Sequence, residues 1–148
     1  MNPIEFAGIG VVLFAAVVAG TVVHELSHAA VLSAFAVPYE VEWLPARSHA
    51  GTLRASLVGG WARVRPRRLS RDCPPWGLRV AALAPFVMTM PLVLVLSGVL
   101  PDPAQAGNPY LTVAMIGWLA CAIPSPQDFS LFWYAERALV QGVPGDST

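Results

Sequence analysis

The sequence predicts a mainly α-helical membrane protein, with about three transmembrane helices and a small β-hairpin sheet between the first and the second. Of its 148 residues, 55% are hydrophobic and 12% are charged, against about 25% charged in ordinary soluble domains. The mean hydropathy of +0.58 agrees. Apolar segments cover about residues 4–36, 77–100 and 110–140, and a β-rich loop covers 38–66. We therefore expect one membrane-embedded domain over residues 1–148.

The first apolar segment, residues 4–36, is longer than a membrane is thick. As an α-helix it would extend roughly 50 Å, whereas the hydrocarbon core of a bilayer measures about 30 Å. The helix must therefore tilt, bend or project beyond the membrane. The amino terminus has neither a basic stretch nor a cleavage site typical of a signal peptide, so we expect this segment to be retained.

The first segment contains His24-Glu25-Leu26-Ser27-His28, an H-E-x-x-H motif. On a helix, His24 and His28 lie one turn apart on one face, so both imidazoles can bind one Zn²⁺. Zinc lowers the pKa of a bound water to about 7, and Glu25 can take the proton of that water as it attacks a carbonyl. The alternative of two satisfied core histidines is disfavoured, because ionisable groups inside a membrane are rare unless they are functional. The motif thus predicts His24 and His28 as metal ligands and Glu25 as the catalytic base.

Two β-strand patterns follow the motif. Tyr39, Val41 and Trp43 alternate with Glu40, Glu42 and Leu44, and residues 52–58 are joined by two glycines to residues 61–65. Two glycines between alternating runs are typical of a tight hairpin turn. The edge of such a sheet could accept an extended peptide, or the sheet could merely cover the membrane domain.

Prolines interrupt the second and third apolar segments. Pro85 and Pro91 should kink the second segment and free backbone carbonyl groups. The third segment reaches Pro124 after about 14 residues, too few to cross a bilayer. The stretch from Pro124 to Asp128 is therefore a break at membrane depth, where irregular backbone must be buried in protein or line a cavity.

The distribution of basic residues predicts the orientation. Seven of the nine, all arginine, fall between the first two segments: Arg47, Arg54, Arg63, Arg65, Arg67, Arg68 and Arg71. Residues 101–109 contain none. Because basic residues concentrate in cytoplasmic loops, we expect a multi-pass protein of the cell membrane with residues 38–76 in the cytoplasm. The motif and Asp128 then both lie towards the cytoplasmic side.

Asp128 is the candidate third metal ligand, since a catalytic zinc site uses three protein ligands and few acids lie at the right depth. A competing explanation is structural: Ser125-x-x-Asp128 fits a capping box at the start of the next helix. His49, Glu40 and Glu42 remain open as alternative third ligands.

These features together resemble the site-2 protease family of intramembrane zinc metalloproteases. The similarity covers nearly the whole chain, although only His24-Glu25-x-x-His28 is a highly specific match. In that family the third ligand is an aspartate after a Pro-x-Pro type stretch, to which Pro124-Ser125-Pro126-Gln127-Asp128 is similar. Phe129-Ser130 stands where the family has glycines. The resemblance implies a zinc-dependent endopeptidase that hydrolyses peptide bonds of membrane-associated or membrane-spanning proteins.

Other classes of function fit the sequence less well. Zero net charge argues against a nucleic-acid partner, so the expected partners are the lipid bilayer and a membrane protein or peptide substrate. The oligomeric state stays open. The main alternative is a non-catalytic zinc-binding membrane scaffold, and a soluble zinc protease is a further one. We expect no disulfide between Cys73 and Cys121, which lie in a polar loop and an apolar segment.

Overall fold

The computed structural model describes residues 2–43, 62–66 and 74–141. The elements are α1 (Pro3–Ala34), β1 (Tyr39–Trp43), β2 (Ala62–Pro66), α2 (Pro75–Leu83), a 3-10 segment (Ala84–Thr89), α3 (Met90–Leu96), α4 (Pro109–Cys121) and α5 (Pro126–Gln141). Among these described residues, three helical stretches are long and apolar enough to cross a membrane: Pro3–Ala34, Pro75–Leu96 and Pro109–Arg137. The prediction of a mainly helical chain with three such stretches is confirmed.

Large apolar side chains cover the outside of these helices. On α1, Ile4 is 82% exposed and Phe6 is 72% exposed, and Leu96 on α3 is 78% exposed. Surfaces this apolar are rare on monomeric soluble proteins. Their exposure fits a multi-pass membrane protein and disfavours the soluble alternative.

A capping box that the sequence analysis did not predict begins α1. The Asn2 N–H donates to a Glu5 carboxylate oxygen at 2.9 Å, and the Glu5 N–H donates to the Asn2 side-chain oxygen at 2.8 Å. Reciprocal bonds of this kind satisfy amide groups that have no partner within the helix. The cap explains why α1 begins at Pro3.

Prolines break the second apolar segment as predicted. Helix α2 ends at Leu83, the next six residues form a 3-10 helix that contains Pro85, and Pro91 lies in the first turn of α3. A proline removes an N–H donor and crowds the carbonyl four residues earlier. The α-helical hydrogen bonding therefore stops before Pro85 and resumes at Met90.

The two strands pair antiparallel, with Val41 opposite Val64 and Trp43 opposite Ala62. Residues 52–58, the other arm of the predicted hairpin, lie outside the described residues. The hairpin therefore stays a prediction.

The chain divides into two compact units. The first comprises Met1–His24 and Pro85–Ile123, and the second comprises Glu25–Ala84 and Pro124–Thr148. Helix α1 contributes to both. That the whole chain folds as one domain stays a prediction.

In the first unit, α1 and α4 approach closely through glycines. A Cβ atom built on Gly20 would lie 2.9 Å from Cys121 Cβ, and one built on Gly117 would lie 3.2 Å from Ala16 Cβ. Small residues allow helices to pack this tightly inside a membrane. The end of α4 is thus held against the part of α1 just before the motif.

In the second unit, an apolar core joins α1, α2 and α5. Its buried members are Leu32, Val37, Leu78, Ala81 and Ala135. Leu78 and Ala135 are completely buried. This core holds α2 and α5 at fixed positions beside the end of α1.

Candidate metal centre

His28 lies between two elements of the second unit. Its Nδ1 atom is 2.7 Å from the carbonyl oxygen of Ala81 on α2. Its Nε2 atom is 3.3 Å from Asp128 Oδ1 at the start of α5, and both side chains are largely buried. The structure thus brings together one residue of the motif and the predicted third ligand.

The hydrogen-bonding chemistry of this pair favours a cation. A carbonyl oxygen only accepts hydrogen bonds, so Nδ1 of His28 carries a hydrogen. In a neutral imidazole Nε2 is then an acceptor, and it faces a carboxylate oxygen that is also an acceptor. Two acceptors at this distance repel each other unless a proton or a metal ion lies between them.

The distance itself fits two ligands of one metal ion. Zinc binds histidine nitrogen and carboxylate oxygen at about 2.0–2.2 Å, so two such atoms on a tetrahedral ion lie roughly 3.4 Å apart. The separation of His28 Nε2 and Asp128 Oδ1 is 3.3 Å. The separation of these two atoms is therefore close to that of two ligands of one zinc ion.

His24 shows the same anchoring within the first unit. Its Nδ1 atom is 2.7 Å from the carbonyl oxygen of Cys121, the last residue of α4. His24 is as buried as His28, with 9% of its surface exposed. Nδ1 must donate to the carbonyl here too, which leaves Nε2 as the ligand atom.

His24 and His28 lie one turn apart on the continuous helix α1. Ligand atoms of His24, His28 and Asp128 lie within 4.8 Å of one another and could hold a metal ion. The structure therefore groups all three predicted metal ligands. Glu25, the predicted catalytic base, follows His24 and is half-buried.

Asp128 also forms the predicted capping box. The Ser125 N–H donates to Asp128 Oδ2 at 2.6 Å, and the Asp128 N–H donates to Ser125 Oγ at 3.2 Å. Because Oδ2 accepts this bond and Oδ1 faces His28, one carboxylate serves both functions. The two explanations considered for Asp128 are therefore compatible.

His49, Glu40 and Glu42 stay open as alternative third ligands, because the structure does not describe their side chains. His49 lies outside the described residues, and Glu40 and Glu42 belong to β1. The carbonyls of Ala81 and Cys121 are functional groups that the sequence pattern did not predict. The available signal was proline, since Pro85 and Pro124 follow them closely.

Comparison of the chain with models of known protein families, with curated proteins and with solved structures found no match. The resemblance to the site-2 protease family rests on the motif and on the order of the segments.

Proposed function

We propose that this protein is a zinc-dependent intramembrane endopeptidase of the site-2 protease type, which hydrolyses peptide bonds of membrane-associated or membrane-spanning proteins. The observation that supports the proposal most directly is that Asp128 Oδ1 lies 3.3 Å from Nε2 of His28. Nδ1 of the same imidazole is bound to the carbonyl oxygen of Ala81. This histidine, His28, is the second histidine of an H-E-x-x-H motif on an apolar helix. Two imidazoles and one carboxylate are the protein ligands of known zinc peptidases.

The donor set supports zinc over other ions. His24 and His28 offer nitrogen and Asp128 offers oxygen. Imidazole ligands favour zinc over magnesium or calcium, which prefer a full set of oxygens. Zinc bound by these residues would polarise the scissile carbonyl and make a water molecule a better nucleophile at neutral pH.

Glu25 is the acid–base residue of the proposal. It lies on α1 between the two histidines and is half-buried. Its carboxylate takes the proton of the attacking water and then gives it to the nitrogen of the leaving amine. The same side chain thereby serves both halves of the reaction, and no covalent intermediate is required.

The location of the motif suggests the kind of substrate. His24 is the 22nd residue of α1, so it lies roughly 32 Å along the helix from Pro3, and the arginine distribution predicts that this end faces the cytoplasm. A membrane-spanning substrate has its carbonyls in helical hydrogen bonds. Such a substrate must therefore unwind locally before Glu25 can act.

The test compares His28→Ala with Glu25→Gln in detergent-purified protein. His28→Ala removes a ligand and should lose most zinc, whereas Glu25→Gln leaves the ligands intact and should keep about one equivalent. Glu25→Gln should also lower cleavage of single-span reporter proteins by about 10²- to 10⁴-fold. Zinc is measured by elemental analysis and cleavage in proteoliposomes.

Two results would overturn the proposal. Full cleavage by Glu25→Gln would exclude this residue as the base. Stoichiometric zinc without cleavage of any reporter by the wild-type protein would favour the zinc-binding scaffold instead.

A further inference from the structure

We infer that Pro85 and Pro124 position the two motif histidines, because these prolines leave the carbonyls of Ala81 and Cys121 open to the Nδ1 hydrogens. The inference rests on the proposed zinc site of His24, His28 and Asp128, and it concerns how the two histidines of that site are held.

Pro85 acts on the carbonyl of Ala81. In a regular α-helix this carbonyl would accept the N–H of residue 85, but proline has none. The N–H of Ala84 takes one lone pair, and His28 Nδ1 takes the other at 2.7 Å. Since a carbonyl oxygen has two lone pairs, an N–H at position 85 would compete with His28.

Pro124 acts on the carbonyl of Cys121. Cys121 ends α4, so its carbonyl would next meet the N–H groups of residues 124 and 125. Pro124 has no N–H, and the N–H of Ser125 donates to Asp128 Oδ2 at 2.6 Å. The carbonyl is thereby left to His24 Nδ1, also at 2.7 Å.

The same arrangement thus occurs at both ligands. Each imidazole is held with its hydrogen on Nδ1, so Nε2 is the nitrogen that would bind a metal ion. If the prolines only kinked the chain, metal binding would not depend on how many residues separate Pro85 from Ala81 and Pro124 from Cys121. Pro91 provides the comparison, because it breaks the same apolar segment. The carbonyl four residues before Pro91 belongs to Val87, whereas the carbonyls that hold the two Nδ1 atoms belong to Ala81 and Cys121.

The experiment compares Pro85→Ala with Pro91→Ala in the full-length protein in detergent. Both variants add one N–H to the same segment. Pro85→Ala should weaken zinc binding by about 10- to 100-fold, the usual effect of losing the partner of a ligating histidine. Its melting temperature in the metal-free form should stay the same or rise, because alanine suits a helix better than proline.

A second readout is independent of zinc. The chain has three histidines, so labelling them with ¹⁵N should resolve the Nδ1–H of His28 in the metal-free protein. We expect a slowly exchanging Nδ1–H signal in the wild type and in Pro91→Ala, and a rapidly exchanging one in Pro85→Ala. Pro124→Ala should have the same effect on His24, and it replaces Pro85→Ala if that variant does not fold.

The two readouts separate this inference from the proposed function. A folded Pro85→Ala protein with wild-type zinc affinity and a protected His28 Nδ1–H would overturn the inference. An equal loss of zinc affinity in Pro85→Ala and Pro91→Ala would also overturn it, since a general kink would then be the cause. Wild-type protein that binds no zinc but shows the expected Nδ1–H pattern would refute the metal site and leave the carbonyl arrangement standing.

Discussion

At the scale of the residue, the carboxylate of Asp128 both caps a helix and faces a histidine of the motif. Its Oδ2 atom accepts a hydrogen bond from the N–H of Ser125, which directly precedes α5, and its Oδ1 atom faces His28 Nε2. The cap restricts the rotation of the carboxylate, so Oδ1 keeps its direction. A helix cap thereby supplies the orientation that a metal ligand needs.

Replacing Asp128 with asparagine should separate these two contributions. Asparagine can still cap the helix, so stability of the metal-free protein should fall by about 1 kcal/mol or less. It offers zinc a neutral amide in place of a carboxylate, so zinc affinity and cleavage should both fall strongly. Zinc content and thermal unfolding are measured on the same sample.

Ser125→Ala is the matched control for Asp128→Asn. It removes the hydroxyl that accepts the Asp128 N–H, and it leaves the carboxylate in place. We expect a loss of about 1 kcal/mol in stability with zinc still bound. Normal zinc and normal cleavage in Asp128→Asn would show that another residue is the third ligand.

At the scale of the element, burial and not surface charge holds α2 against α5. Arg79 and Glu136 form an ion pair at 3.1 Å, but their side chains are 41% and 73% exposed. A pair of this kind contributes about 0–1 kcal/mol. Burying the side chain of Leu78 contributes about 1.5–3 kcal/mol in water. In a membrane, close packing of Leu78 and Ala135 takes the place of that hydrophobic term.

The close contact between α1 and α4 gives a second prediction. Gly20→Ala would place a Cβ atom 2.9 Å from Cys121 Cβ and Sγ, so one helix must shift. We expect a loss of about 1–3 kcal/mol in stability, the usual cost of overpacking. Zinc affinity should fall as well, because the Cys121 carbonyl that holds His24 moves with α4.

Gly10→Ala is the control on the same helix. A Cβ atom there meets nothing within 4 Å, and alanine is the better helix former by about 1 kcal/mol. Its stability should be unchanged or slightly higher, as measured by thermal unfolding in detergent. If both variants behaved alike, helix propensity and not the contact with Cys121 would explain the result.

At the scale of the whole molecule, the arginine distribution predicts how the chain lies in the membrane. Residues 38–76 carry seven arginines and residues 101–109 carry none. Basic loops remain in the cytoplasm. The part of the chain that the structure describes has three helical stretches able to cross, so the two connections should lie on opposite sides.

Cysteine labelling in intact cells checks this topology. Ser48→Cys and Ala104→Cys are introduced singly into a background with Cys73→Ser and Cys121→Ser. A membrane-impermeant maleimide should label position 104 from outside, and position 48 only after permeabilisation. Labelling of both positions from outside would contradict a chain with three crossings.

The sequence by itself determined the features that depend on local order along the chain. Hydropathy is read over a window of neighbours, so the three apolar helices could be predicted. The spacing of His24 and His28 requires only helical periodicity. The capping box of Ser125 and Asp128 depends on residues three positions apart, and the structure confirmed it.

Only the tertiary structure decided which groups meet across the fold. His28 and Ala81 are 53 positions apart, and His24 and Cys121 are 97 apart. No local pattern identifies such pairs, because side-chain packing sets the distance between segments that are remote in sequence. The cap and the ligand appeared as alternatives for Asp128 for the same reason. In the second unit, the packing of α5 beside α1 points one oxygen of Asp128 at the Ser125 N–H and the other at His28.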